Sequence, residues 1–242
     1  MDIDATFQSL CSNARYDQNL LRELQAQCTS GIVLWQAGTE STEPWGYYTP
    51  RIVHHYTTGG VKRGRLIKNM PDTAHPTHRF LYGINARRQL VFIRDQVTKD
   101  HYEHSYLLHE PDRIIGVTVD DNHPDQVCRL TECIFNTNRQ ITDYRYLYLI
   151  DREPYEFLFE EYRYDSDHCL TELQQAEGLK SSSPDTFSIF SQKCLFYHDQ
   201  EMRFTGWREQ LGSNCNTEAD PVSELYTISP TRADILPAIM TI

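Results

Sequence analysis

The sequence predicts a mainly β chain: tandem β-hairpin repeats forming an open, curved antiparallel sheet, with a short N-terminal helical segment. Three observations lead there. Aromatic residues are abundant, with Tyr 15 and Phe 10 among 242 residues, and such side chains favour half-buried pleated surfaces. Helical periodicity fades after Gly31, and short strand-like runs replace it. A column pattern then recurs five times between residues 80 and 210.

Residues 1–30 come first. Phe7, Leu10, Ala14, Leu20, Leu21, Leu24 and Cys28 recur at near-helical spacing, and neither Gly nor Pro occurs before Gly31. One or two short helices are predicted. Gly31-Ile32-Val33-Leu34-Trp35 reads as a strand, Gly38 to Pro44 as a loop, and strand-like segments resume at Tyr47–Tyr56. The hairpin-repeat domain is assigned to residues 31–211. Residues 212–242 form a polar, turn-rich tail closed by an apolar segment, Ile235 to Ile242.

The repeat carries most of the information. A reference position holds Asn85, His109, Asn136, Asp165 and Asp199. One residue before it stand Ile84, Leu108, Phe135, Tyr164 and His198; three before it, Tyr82, Tyr106, Cys133, Tyr162 and Phe196. Five after it stand Leu90, Ile114, Ile141, Leu170 and Phe204; eight after it, Ile93, Val117, Tyr144, Leu173 and Trp207. Positions two apart leave a strand on one face. Asn and Asp suit the turn, because they bond local backbone and tolerate left-handed conformations. The step of three between the last two columns breaks alternation, so it requires a bulge or a change of buried face. An isolated hairpin is marginal in water, so the units must share one sheet. The segment His54-His55-Tyr56 to Arg65-Leu66-Ile67 reads as a degenerate first unit with a longer loop.

The run Glu161-Tyr162-Arg163-Tyr164-Asp165-Ser166-Asp167-His168-Cys169-Leu170-Thr171-Glu172-Leu173 resembles a YD repeat of the Rhs/teneurin type. That motif reads Tyr-Asp, two variable residues, Gly-Arg-Leu, then an apolar residue three further on. Tyr164, Asp165, Leu170 and Leu173 fall on its columns, and Arg113-Ile114 on its Arg-Leu positions. Arg88, Asp112, Arg139, His168 and Met202 stand where the family has Gly, which predicts a different turn type. In that family many repeats coil into a shell around a toxin. So few units imply an open sheet instead. Short acidic chains of this type are similar to the bacterial immunity proteins that accompany polymorphic toxins.

Charge narrows the partners. Lys+Arg 23 against Asp+Glu 34 gives a net charge of -11. Nucleic-acid binding needs a basic stripe. The cluster Lys62-Arg63-Gly64-Arg65 reads as a solvated loop. A basic protein partner is expected instead. No stretch approaches the roughly 18 apolar residues of a membrane-spanning helix. Met1-Asp2-Ile3-Asp4 lacks the apolar core of a signal peptide. A cytoplasmic protein with reduced thiols is therefore expected.

Catalytic and metal chemistry find little footing in the sequence. His75-Pro76-Thr77-His78 and His101-Tyr102-Glu103-His104 are both HxxH. Pro76 opposes a helix in the first, and strand geometry turns the second pair to opposite faces. Surface histidines without a shared metal are expected, and His54-His55 likewise point apart. Cys133 reads as a core thiol and Cys169 as a solvent or edge residue. No Gly-rich phosphate loop or GxSxG elbow occurs. No catalytic residue, metal or cofactor is assigned.

What remains is a dense acidic, Tyr-rich stretch. Asp151, Glu153, Tyr155, Glu156, Glu160, Glu161, Asp165 and Asp167 are assigned to partner contact, because Tyr combines area with a polar tip. The expected function is non-enzymatic: an immunity-type inhibitor that occludes the active site of a cognate toxin. The alternative is a structural or chaperone-like scaffold. The oligomeric state is not legible.

Overall fold

The computed structural model describes residues 1–13, 18–38, 80–181 and 186–200. It also describes the backbone of strands Leu66–Ile67, Phe204–Leu211 and Leu225–Thr227. Two helices, α1 (Ile3–Asn13) and α2 (Gln18–Ser30), precede strands β1 (Ile32–Gly38) and β2 (Leu66–Ile67). There follow β3 (Phe80–Asn85), β4 (Leu90–Thr98), β5 (His101–His109), β6 (Arg113–Asp120) and β7 (His123–Phe135). The chain continues with β8 (Ile141–Ile150), β9 (Glu153–Tyr164), β10 (Leu170–Lys180), β11 (Phe187–His198), β12 (Phe204–Leu211) and β13 (Leu225–Thr227).

The strands form one 13-stranded antiparallel sheet in the order β13-β12-β11-β10-β9-β8-β7-β6-β5-β4-β3-β1-β2. From β3 to β13 each strand pairs with its sequence neighbour, the simplest connection an antiparallel chain can make. β13 lies inside the segment expected to be a tail. It was illegible because only Leu225-Tyr226-Thr227 pair, against Arg208, Trp207 and Gly206. Of the degenerate unit, Leu66 and Ile67 pair with Gly38 and Ala37. The rest of that unit, the basic cluster, Tyr47–Tyr56, His54, His55, His75, His78 and Ile235–Ile242 lie outside the described residues.

The repeat columns are cross-strand pairs. The residue three before the reference faces the residue eight after it in all five copies: Tyr82 with Ile93, Tyr106 with Val117, Cys133 with Tyr144, Tyr162 with Leu173, Phe196 with Trp207. The inner columns also pair in four copies, as Ile84 with Leu90, Phe135 with Ile141, Tyr164 with Leu170 and His198 with Phe204. Between inner and outer pair the register slips by one residue, which is a bulge. The His109 copy takes the other route. It has no register shift, and Ile114 faces His109. There Ile114 joins one core cluster while Val117 and Tyr106 join the other. The broken alternation is thus met by a bulge in four hairpins and by a face change in the fifth.

The turn chemistry explains the reference column. In three turns one side-chain oxygen accepts two backbone N–H groups. Asn85 Oδ1 takes those of Arg87 and Gln89, and Asn136 Oδ1 those of Asn138 and Gln140. Asp165 Oδ1 takes those of Asp167 and Cys169. The fourth residue of each turn adopts a left-handed conformation: Arg88 at φ 61, Arg139 at φ 63, His168 at φ 65. These are the positions where the YD motif has Gly. The expectation of a different turn type is therefore corrected at these three turns, which keep the backbone that Gly favours and carry its strain in ordinary residues. The fourth turn does differ: Glu110 N–H donates to Arg113 O, and Asp112 has no positive φ.

Both faces of the sheet carry a core. One is lined by the repeat columns, with Tyr82, Cys133, Ile141, Tyr144, Tyr162, Leu173 and Phe196 among them. The two helices cover the other. Asp2 caps α1, its Oδ1 accepting the Ala5 N–H at 3.0 Å. Leu10 is buried, and Phe7 rests on Phe157 and Phe187 with ring centroids 5.3 Å away from each. α2 buries Leu21, Leu24 and Cys28. Leu20, expected on that apolar stripe, is exposed. Beside the helices, Gly178 lets the Phe157 ring lie on the sheet, where an added Cβ would meet that ring at 2.1 Å.

Candidate docking surface

A meander of hairpins has two rims of turns. The first rim holds the repeat turns, β3–β4, β5–β6, β7–β8 and β9–β10. The second holds the alternate turns, β4–β5, β6–β7 and β8–β9. The predicted contact residues divide between them. Asp151, Glu153 and Tyr155 are exposed at the β8–β9 tip on the second rim, with Glu156 partly exposed beside them. Asp165 and Asp167 lie at the far end of β9, on the first rim. A rise of about 3.3 Å per residue puts roughly 40 Å between the two groups.

The middle of β9 is structural. Glu160 is 2% exposed and accepts the Tyr162 hydroxyl at 2.5 Å. Burial, followed by the neighbouring Glu160 carboxylate, raises the Tyr162 phenol well above its usual range. Glu161 faces the helices, with its carboxylate 3.3 Å from the Met1 amino group and 3.2 Å from Arg163. Burial lifts the Glu161 carboxyl, but hydrogen bonds from Arg163 and the amino terminus outweigh it and hold the carboxyl below its usual range. Asp165 is the turn anchor described above. Glu160, Glu161 and Asp165 are thus tied up in the fold, and the eight residues do not form one surface.

The β8–β9 tip has features of its own. Ile150 and Glu153 close a two-residue turn in which Asp151 has φ 52 and Arg152 φ 68. Two consecutive left-handed residues define the hairpin turn that normally takes Asn-Gly. Neither residue here is Gly, so the turn stores strain. Ile150 and Tyr155 expose 44% and 37% of their surface within this acidic tip, and Tyr155 also packs edge-on against Tyr148. The neighbouring β6–β7 tip adds Asp120, Asp121 and Asn122. Ile150 was missed in the sequence because it reads as the end of a core strand.

The remaining candidate groups sort by burial. His101 and His104 do leave β5 on opposite faces: His101 meets Asp120, whereas His104 lies against the Phe92 ring. They were expected on the surface, yet both are half-buried. Burial pushes the Cys28 thiol up to about 11 and the Cys128 thiol up to about 12, and raises Cys133 still further. Cys169 is raised as well. These four thiols stay protonated at neutral pH, the reverse of an activated nucleophile. Cys133 is a core thiol as expected, and Cys194 joins it fully buried.

No family model and no curated protein matches the chain. Among the described residues no helix is long and apolar enough to cross a membrane.

Proposed function

We propose that the chain is a non-enzymatic protein-binding inhibitor of the immunity type, which docks a basic toxin through the second rim and occludes its active site. One observation carries the reading. At the β8–β9 tip, exposed Ile150 and Tyr155 lie with Asp151 and Glu153 on a turn whose strained backbone is not relieved by Gly. An apolar and aromatic centre with a charged border is how interface hot spots are built. Strain alone does not single out this tip, since Arg88, Arg139 and His168 on the first rim are left-handed as well; the exposed apolar centre does. The net charge of -11 adds steering toward a basic partner.

The test is capture and protection together. Tagged chain is used to retain its partner from the source cells, and the product of the adjacent gene is co-expressed to measure its toxicity. The reading expects retention that weakens with salt, relief of toxicity by the wild-type chain, and loss of both with Asp151→Lys/Glu153→Lys. Retention and relief undiminished in that variant would place the contact elsewhere.

A further inference from the structure

We propose that the repeat-column face of β8–β11 binds a basic amphipathic helix of the partner, which lies across the strands over Tyr148, Tyr155, Leu179 and Phe190 with its cations against Glu156 and Glu177. The assignment rests on the docking reading and adds to it the element that the partner brings.

The strand register builds the surface. Tyr148, Glu156, Leu179 and Ser188 stand side by side on four adjacent strands, and two residues further along each strand Tyr146, Leu158, Glu177 and Phe190 do the same. Residues two apart share a face of the sheet. Tyr146 and Leu158 belong to the core of the repeat columns, so both rows lie on that face, opposite the helices. The core ends part-way along them. Tyr146 and Leu158 are buried, yet Leu179 is 48% and Phe190 44% exposed. Tyr155 packs edge-on against Tyr148 and is 37% exposed itself. An exposed apolar patch that continues a core past its edge, bordered by charge, marks a docking surface.

Charge selects the occupant. Glu156 separates Tyr148 from Leu179, and Glu177 separates Leu158 from Phe190. Glu153 closes the row at the tip. Among the described residues Glu153 and Glu177 enter no ion pair, while Arg129 beside Tyr148 is held by Glu103 at 2.7 Å. A second copy of this chain would bring its own carboxylates and its charge of -11 to the contact, and an anionic lipid surface would meet the same repulsion. A basic polypeptide is what remains.

Spacing selects a helix. Adjacent strands are about 4.8 Å apart, so Tyr148 and Leu179 stand roughly 10 Å apart with Glu156 midway. On a helix, residues i and i+7 are about 10.5 Å apart, and residues i+3 and i+4 fall between them on the same face. Apolar, basic, apolar at those positions meets apolar, acidic, apolar on the sheet. A strand laid across would offer same-face side chains about 6.7 Å apart, out of step with this pattern. Strand addition is also closed off here, because β9 and β10 are paired on both edges.

The full chain is titrated with a fluorescent synthetic peptide of about 18 residues, with Leu at i and i+7 and Lys at i+3 and i+4. One control peptide carries Glu for Lys, and another has the same residues scrambled out of helical period. The expected result is saturable binding that weakens with salt and is at least about 10-fold tighter than either control. Leu179→Ser/Phe190→Ser should weaken it at least about 10-fold, and Tyr197→Ser should not. In wild-type protein the Leu179 methyl resonances should move on binding while those of Leu10, on the other face, stay put, a readout that needs no variant to fold. No saturable binding, equal binding of a control peptide, undiminished binding by the Leu179/Phe190 variant, or unmoved Leu179 methyls would each overturn the proposal. The captured partner separates the two readings. Retention lost with Asp151→Lys/Glu153→Lys but full with Leu179→Ser/Phe190→Ser overturns the helix site alone, whereas full retention with Asp151→Lys/Glu153→Lys overturns the docking reading.

Discussion

The two rims of one sheet are built to different rules. On the first rim, three turns repeat a single solution: an Asn or Asp anchor, two accepted N–H groups and a left-handed residue. Neighbouring turns are also tied together, by Arg139 donating to Pro111 O and Gln140 to His168 O. On the second rim the three described turns share a two-residue length, closed by Thr98 with His101, Asp120 with His123 and Ile150 with Glu153, but among them only Asp151 and Arg152 are left-handed. One is a strained Asp151-Arg152 turn, and another carries His101, Asp120, Asp121 and Asn122. Repetition marks the rim that holds the fold together. The described second-rim turns lack that double anchor, which leaves their side chains for other uses.

The largest expected effect is on the regular rim. Asn136→Ala removes both accepted N–H bonds and the Asn136 donation to Gln140. A loss of about 2 kcal/mol in urea unfolding is expected, at roughly 1 kcal/mol per bond with partial rescue by water. A loss under about 0.5 kcal/mol would mean the anchor is ornamental. Relief of strain comes next. Arg88→Gly on the first rim and Arg152→Gly on the second should each stabilise by about 1 kcal/mol, because Gly adopts positive φ without a Cβ penalty. If only one gains stability, the strain ascribed to the other turn is absent.

Smaller still, Glu153→Lys should change stability by less than about 0.5 kcal/mol while weakening partner retention. A large stability loss would make the second rim structural too. The charges between the rims give a pH effect. Burial lifts the Glu172 carboxyl, but hydrogen bonds from Lys193 and Gln174 outweigh it and hold it below its usual range, as Glu161 is also held. Their stabilisation is present above the ordinary carboxylate range and fades as pH falls through their lowered values. The urea midpoint should drop on acidification, and Glu172→Gln should flatten that drop.

Much of the first rim was legible in the sequence, and most of the second was not, for a physical reason. Side chains that pair across a turn must recur at fixed offsets. Tyr162 with Leu173 and Tyr164 with Leu170 were therefore visible as columns before any strand was placed. The same logic exposed the misfit at Ile114 and Val117, which the structure resolves by a face change. Second-rim turns are only two residues long and carry no recurring side-chain column, so Asp121-Asn122 gave no signal and Asp151 was picked out by its charge and not by its turn. Burial was illegible for Glu160, because charge in a Tyr-rich strand reads as solvent-facing until the Tyr162 hydroxyl is found beside it. The turn backbone was misread for a related reason. Arg, Arg and His in place of Gly pointed to another turn, yet the Asn and Asp anchors impose the left-handed residue regardless.

Hydrogen–deuterium exchange of the full chain, alone and with its captured partner, tests the division between the rims most directly. The account predicts new protection over residues 149–156 at the β8–β9 tip and none over 136–140 or 165–169. Protection confined to the repeat turns, with 149–156 unchanged, would contradict it.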